Sequence, residues 1–158
     1  MITIVGLGIR PGDLTLDVQS RLRSGLPVLL RTARHPAADF LRAEGIPFQS
    51  FDALYEQSED FSALNAAIAQ AVLQNAPCVF AVPGGAGLFD ESVRAVASAA
   101  QKEGAAVEIL PGIGLAEATA AQNLGAVGAV TLAAGDFGPR LANPRLPLIL
   151  VELNSRVL

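Results

Sequence analysis

Few residues in this chain could do side-chain chemistry. Among its 158 residues there is one histidine, His35, one cysteine, Cys78, and one lysine, Lys102. A zinc site made from His and Cys needs three or four such ligands, so metal hydrolysis of that kind is excluded. A P-loop needs Gly-Lys-Ser/Thr, and Lys102 falls in a helical pattern instead. No serine stands on a strand-to-helix elbow, which removes a Ser-His-Asp triad. Glu56, Glu59 and Asp60 read better as a solvated helix start, where the helix dipole favours carboxylates, than as a Mg²⁺ site. No metal is expected. His35, between Arg34 and Pro36, is open to two readings: an imidazole bonded to a nearby carbonyl, or a substrate contact.

Glycine and proline recur where chemistry would be sought. Gly6-Leu7-Gly8 with Pro11-Gly12-Asp13, then Pro83-Gly84-Gly85-Ala86-Gly87, then Pro111-Gly112-Ile113-Gly114 each follow a short apolar run. Such loops let a ligand approach the main chain, and open α/β sheets bind ligands where strands end in them. A dinucleotide motif is disfavoured, because Pro11 takes the third glycine position and no acid stands near the end of the second strand at Arg31. NADP would need Arg31 or Arg34 on its 2′-phosphate. Backbone-lined loops without an obvious acid, base or metal suit methyl transfer from S-adenosylmethionine. Its sulfonium is already an activated leaving group, so positioning and desolvation can supply much of the catalysis.

The elements that position these loops follow from hydropathy. Strands are expected at 2–5, 27–30, 47–51, 78–82, 107–110, 129–133 and 148–153. Between them, helices are expected over 14–24 (Leu14, Leu16, Val18 and Leu22 inward, Asp13 or Thr15 as N-cap), 37–44, a turn capped by Asp52, one opened by Asp60 with Phe61, Leu64, Ile68 and Val72 inward, 88–102, and 115–124. Strand–helix alternation over 1–112 predicts an α/β domain, a mostly parallel five-stranded sheet with helices on both faces. Residues 113–158, beyond that alternation, leave room for a fragment of another domain. Parallel topology puts the glycine loops on one rim.

Net charge is −4, and the ten arginines and one lysine are scattered, so no nucleic-acid footprint is visible. The longest uncharged apolar stretch, 124–135, falls short of the roughly twenty residues a bilayer span needs. With no basic leader and a lone cysteine in an apolar run, the chain is expected to be cytoplasmic.

Val5-Gly6-Leu7-Gly8-Ile9-Arg10-Pro11-Gly12-Asp13-Leu14-Thr15 resembles the opening of the tetrapyrrole (corrin/porphyrin) methylase family, close to V-G-x-G-P-G-D-x-x-x-L-T. Val82-Pro83-Gly84 and Leu110-Pro111-Gly112-Ile113 fall where that family has its second and third ligand loops. Arg31-Thr-Ala-Arg-His-Pro36 and Phe51-Asp-Ala-Leu-Tyr-Glu56, with Asp60-Phe61, resemble the methylase-like N-terminal half of proteins fused to a MazG-type nucleotide pyrophosphohydrolase. The resemblance implies two α/β domains, S-adenosylmethionine as cofactor, a small-molecule substrate and a homodimer. Carried over by motif, the cofactor would lie against Leu7, Gly8, Pro11 and Gly12, against Pro83, Gly84, Gly85 and Gly87, and against Ile113, Gly114 and Leu115. His35, Tyr55 and Glu56 would stand toward the substrate, and no catalytic residue is assigned. The chain departs from the pattern by inserting Ile9-Arg10, by Gly85-Ala86 in place of Asp-Pro, and by Gly114-Leu115 in place of a hydroxyl residue and a small one. It is also shorter than the family's members, so only the opening of the second domain is expected. The alternative is a non-catalytic S-adenosylmethionine- or nucleotide-binding module, regulatory or dimerising, beside a MazG-type enzyme.

Overall fold

The computed structural model describes residues 1–58, 60–87, 90–122, 128–134, 137–138, 143 and 145–151. Five strands, β1 (Ile2–Gly6), β2 (Val28–Leu30), β3 (Phe48–Ser50), β4 (Cys78–Val82) and β5 (Val107–Leu110), form one parallel sheet in the order β3-β2-β4-β1-β5. The two central strands, β1 and β4, are buried at every position. That double-sided burial is why they read as unbroken apolar runs.

Alternate residues feed two cores. On one face Ile2, Ile4, Leu29 and Phe80 pack with α4 (Phe61–Gln74) and α5 (Glu91–Lys102). On the other, Val5, Leu30, Val79 and Ala81 pack with α1 (Leu16–Leu22) and α2 (Ala37–Ala43). A short α3 (Asp52–Gln57) precedes α4. The α/β architecture with helices on both faces is therefore the one the alternation predicts.

Helix starts depart from expectation in four places. Thr15 caps α1, accepting from the Val18 amide at 3.2 Å, while Asp13 ends a separate 3₁₀ turn, Pro11–Asp13. Leu16 then becomes the first helical residue and is exposed, not inward. Phe61 is likewise the first residue of α4 and exposed, because Asp60 takes the cap and turns that position to solvent. Asp52 does not cap α3; its carboxylate points back to the loop after β2. Asp90 is the N-cap of α5, whose expected start at 88–89 lies outside the described residues.

The chain divides into two compact units, Met1–Gly114 and Leu115–Leu158. The second contains α6 (Leu115–Gln122) and a two-stranded parallel sheet of β6 (Val130–Ala133) and β7 (Leu148–Val151). Residues 123–124 of the expected helix and 152–153 of the expected strand lie outside the described residues. Among the described residues, no helix is long and apolar enough to cross a membrane.

Candidate functional site

Strand order creates two crevices at the sheet's carboxyl edge. The chain leaves β1 for α1 on one face and leaves β4 for α5 on the other, so the β1 and β4 loops diverge from adjacent strands. The neighbouring pair β2 and β4 diverges in the same way, because α2 shares the face of α1. Divergence of adjacent loops is what opens a ligand crevice in such sheets.

The β1/β4 crevice is made of main chain. Leu7 N–H donates to the Val82 carbonyl at 2.9 Å, and Gly8 and Gly84 exchange two bonds, at 3.1 and 2.8 Å. Gly112 N–H donates to the Gly85 carbonyl at 3.4 Å, which brings in the loop after β5. A Cβ on Gly6 would lie 2.5 Å from Gly112 N and 2.6 Å from Gly84 O. A Cβ on Gly112 would meet Gly6 O and Gly84 O equally closely, so the three loops interlock only because Gly6 and Gly112 lack side chains. Gly8 adopts φ +69°, and a Cβ there would collide with Asp13.

Asp13 organises Ile9 and Arg10. Its carboxylate accepts from the amides of Ile9 at 3.0 Å and Arg10 at 3.2 Å, and from Arg10 Nε at 3.1 Å. The Ile9 amide, helped by Arg10, holds its pKa below the ordinary aspartate value against the opposing effect of desolvation. Ile9 and Arg10 are thus wrapped around a carboxylate the same loop supplies.

The candidate residues separate into groups. Gly8, Gly84, Gly85 and Gly112 meet through the contacts above, and Pro83, Gly87, Ile113 and Gly114 belong to the same loops. The Leu7 side chain is fully buried in the core, so any ligand contact it makes runs through its main chain. Pro11 and Gly12 are exposed in the 3₁₀ turn, with open space where a Gly12 Cβ would stand. Leu115 opens α6 in the second unit and is exposed.

His35 joins the opening loop and not the other two substrate candidates. Its Nδ1 accepts from the Ala37 amide at 3.2 Å, and the Gly8 main chain offers it a second hydrogen bond. Burial pushes its pKa below 6.5, with the Gly8 bond pulling the other way. Glu56 is exposed and paired with Arg34. Among the described residues, no three His, Cys, Asp or Glu groups gather as metal ligands; Glu59 lies outside them.

Tyr55 belongs to the second crevice. Arg31, at the end of β2, donates Nε to Tyr55 Oη at 2.6 Å and Nη1 to Asp90 Oδ2 at 2.8 Å. Asp90 in turn accepts from Ser92 N–H, Ser92 O–H and Val93 N–H at the start of α5. Burial opposes charge on Arg31, but Asp90 and Tyr55 more than offset it and raise the guanidinium pKa. Beside it, Asp52 accepts from Thr32 O–H at 2.6 Å and Ala33 N–H at 2.9 Å. Desolvation of Asp52 is outweighed by these bonds, by Ser50 and by the Arg34 charge, so its pKa is lowered. Sequence reasoning gave Arg31 no partner and did not weigh Asp90. The one local signal was the Asp90-Glu-Ser-Val93 capping pattern.

The chain is similar in sequence to YabN of Bacillus subtilis (strain 168), an uncharacterized protein, at 30% identity over 122 residues. That match covers 75% of this chain but 25% of YabN, so the chain spans about a quarter of that relative's length. In structure it resembles uroporphyrin-III-C-methyltransferase from Thermus thermophilus, with a TM-score of 0.65 at 21% identity, over 94% of this chain and 66% of that one. The same enzyme complexed with S-adenosyl homocysteine gives a TM-score of 0.62 at 19% identity, over 94% and 68% of the two chains. At these identities the likeness is one of fold. The family model for tetrapyrrole (corrin/porphyrin) methylases matches residues 1–144, nearly the whole chain, and to that family the chain belongs.

Proposed function

We propose that this chain is a S-adenosylmethionine-dependent methyltransferase domain of tetrapyrrole-methylase type, acting on a small-molecule acceptor. The observation that carries the reading is the meeting of three glycine loops at the carboxyl ends of β1, β4 and β5, whose main chains bond to one another with no side chain between them. The Leu7, Gly8, Gly84 and Gly112 amides are bonded between the loops, so the room for a cofactor lies where Gly12 and Gly84 would carry a Cβ, with nothing within 4 Å. When bound, the cofactor supplies a methyl group already activated on sulfur. The chain's own contribution is to hold the opening loop rigid through Asp13 and to fix the Gly8–Gly84 bridge. Ile113, Gly114 and Leu115 are assigned to the cofactor by motif, and His35, Tyr55 and Glu56 to the acceptor side.

The reading is tested by calorimetric titration with S-adenosylmethionine and S-adenosylhomocysteine. Saturable binding of both is expected, and no binding up to millimolar ligand overturns it. A second reading, a binding module beside a MazG-type pyrophosphohydrolase, is favoured by Gly85-Ala86, which leaves the second loop without a carboxylate. Binding without turnover on any tetrapyrrole acceptor supports that reading. The chain is further proposed to act in the cytoplasm as a homodimer; light scattering at the mass of a monomer at all concentrations overturns the dimer.

A further inference from the structure

The second crevice holds donors that the cofactor reading does not use. Tyr55 Oη acts as acceptor toward Arg31 Nε, so the phenolic hydrogen is left to seek an acceptor elsewhere. A guanidinium carries five N–H groups, and Arg31 spends one on Tyr55 and one on Asp90. Among the described residues, nothing accepts the Tyr55 hydrogen or the Arg31 Nη2 hydrogens. The neighbouring carboxylates are committed: Asp90 to Arg31 and the start of α5, Asp52 to Thr32 and Ala33, Glu56 to Arg34.

Exposure gives this arrangement a direction. The Asp90 side chain is 9% exposed and the Arg31 side chain 31%, so the neutralising charge is buried while part of the arginine side chain reaches solvent. The guanidinium carbon also lies 5.7 Å from the Tyr55 ring centroid, which fixes the fork relative to the hydroxyl. Two neighbouring donor groups, one ionised, with Arg31 Nε and Tyr55 Oη 2.6 Å apart at the carboxyl edge of a parallel sheet, are complementary to a group offering two or more acceptor oxygens.

We propose that Arg31 and Tyr55 form a receptor for an oxyanion, a carboxylate or a phosphate, carried by the methyl acceptor. Asp90 is its positioning residue, holding the fork so that Nη2 and the Tyr55 hydroxyl point the same way. The identification of the bound molecule as the methyl acceptor rests on the proposed methyltransferase function; the anion binding itself does not, and is tested without the cofactor.

Tyr55 is the only tyrosine and the chain has no tryptophan, so intrinsic fluorescence reports this crevice alone. The full chain is titrated with inorganic phosphate, pyrophosphate and succinate, against sodium chloride at matched ionic strength. A saturable change is expected with at least one of the three, and the phosphates against succinate distinguish the two sources of oxyanion. Arg31→Met is expected to weaken the response at least about tenfold, with Arg31→Lys between it and the parent, because an ammonium keeps charge but loses the fork. No saturable change into the tens of millimolar, or an unchanged curve in Arg31→Met, overturns the proposal. If Arg31→Met does not fold, Tyr55→Phe followed by calorimetry serves, with the same tenfold loss expected and undiminished binding counting against. Loss of S-adenosylmethionine binding with anion binding intact would sink the cofactor reading and leave this receptor standing.

Discussion

A methyl group added at Gly112 or Gly6 has nowhere to go. The atoms it would meet, at 2.5–2.6 Å, are main-chain atoms of β-strand ends and not the tips of flexible side chains, so relief requires separating the loops. Gly112→Ala and Gly6→Ala are each expected to cost about 2–3 kcal/mol in urea unfolding, the scale of overpacking in a rigid site. Gly12→Ala, facing open space, should stay within about 0.5 kcal/mol of the parent. Equal effects at Gly12 and Gly112 would contradict the interlocked-loop geometry. The single histidine gives a second residue-scale prediction. His35 has a folded pKa below its unfolded value of 6.5, so the unfolded chain binds the proton more readily. The resulting stability is fully present above pH 6.5 and is lost as pH falls toward the folded pKa. Because no other imidazole exists in the chain, His35→Gln should flatten the stability–pH slope just below pH 6.5. A slope unchanged in that window would show that the imidazole is not held neutral against Gly8 and Ala37.

At the scale of elements, α5 is anchored where its dipole, its cap and a charge pair coincide. Asp90 accepts both cap amides and also neutralises Arg31 on β2. Asp90→Asn keeps an acceptor at the cap and loses the charge; Asp90→Ala loses both. The alanine variant is expected to cost about 2–4 kcal/mol, below the full price of breaking an entirely buried pair because Arg31 reaches water, and the asparagine variant about half as much. Adding Arg31→Met to Asp90→Ala should cost less than the two single losses summed, a coupling readable in a double-mutant cycle. This anchor also marks the limit of what the sequence revealed. The strands were legible because β1 and β4, buried on both faces, must be apolar throughout, and the glycine loops because main-chain crowding at Gly6 and Gly112 and the turn at Gly8 exclude a side chain. Helix starts were less so, since Leu16 and Phe61 are apolar yet stand at first helical positions that face water. The Arg31–Tyr55–Asp90 cluster was not legible as a unit at all. Its members lie 24 and 59 residues from Arg31 along the chain, and only the strand order β3-β2-β4 brings them together.

Across the whole molecule, the two compact units are built to different standards. In Met1–Gly114 the central strands pair on both edges and are covered by helices on both faces, giving two apolar cores with residues at zero exposure. In Leu115–Leu158 the described sheet has two strands of four residues, and Leu148 and Leu150 on β7 are exposed. A two-stranded sheet is marginal on its own, because each strand keeps one unpaired edge and buries little surface. Local opening should therefore be cheap in β6 and β7 and as costly as global unfolding in β1 and β4. In native-state hydrogen exchange, amides of β6 and β7 are expected to exchange at least about a hundredfold faster than those of β1 and β4, a gap of about 2.7 kcal/mol in opening free energy. The contrast bears on function, because the residues named for both crevices, Leu115 apart, belong to Met1–Gly114. Ligand sites formed by the ends of β1, β2 and β4 are therefore expected to stay organised when the second sheet opens. Anion binding at Arg31 and Tyr55 should then persist under mild urea that already abolishes protection in β6 and β7. Simultaneous loss of the fluorescence response and of β6–β7 protection would mean that the crevices depend on the second unit after all.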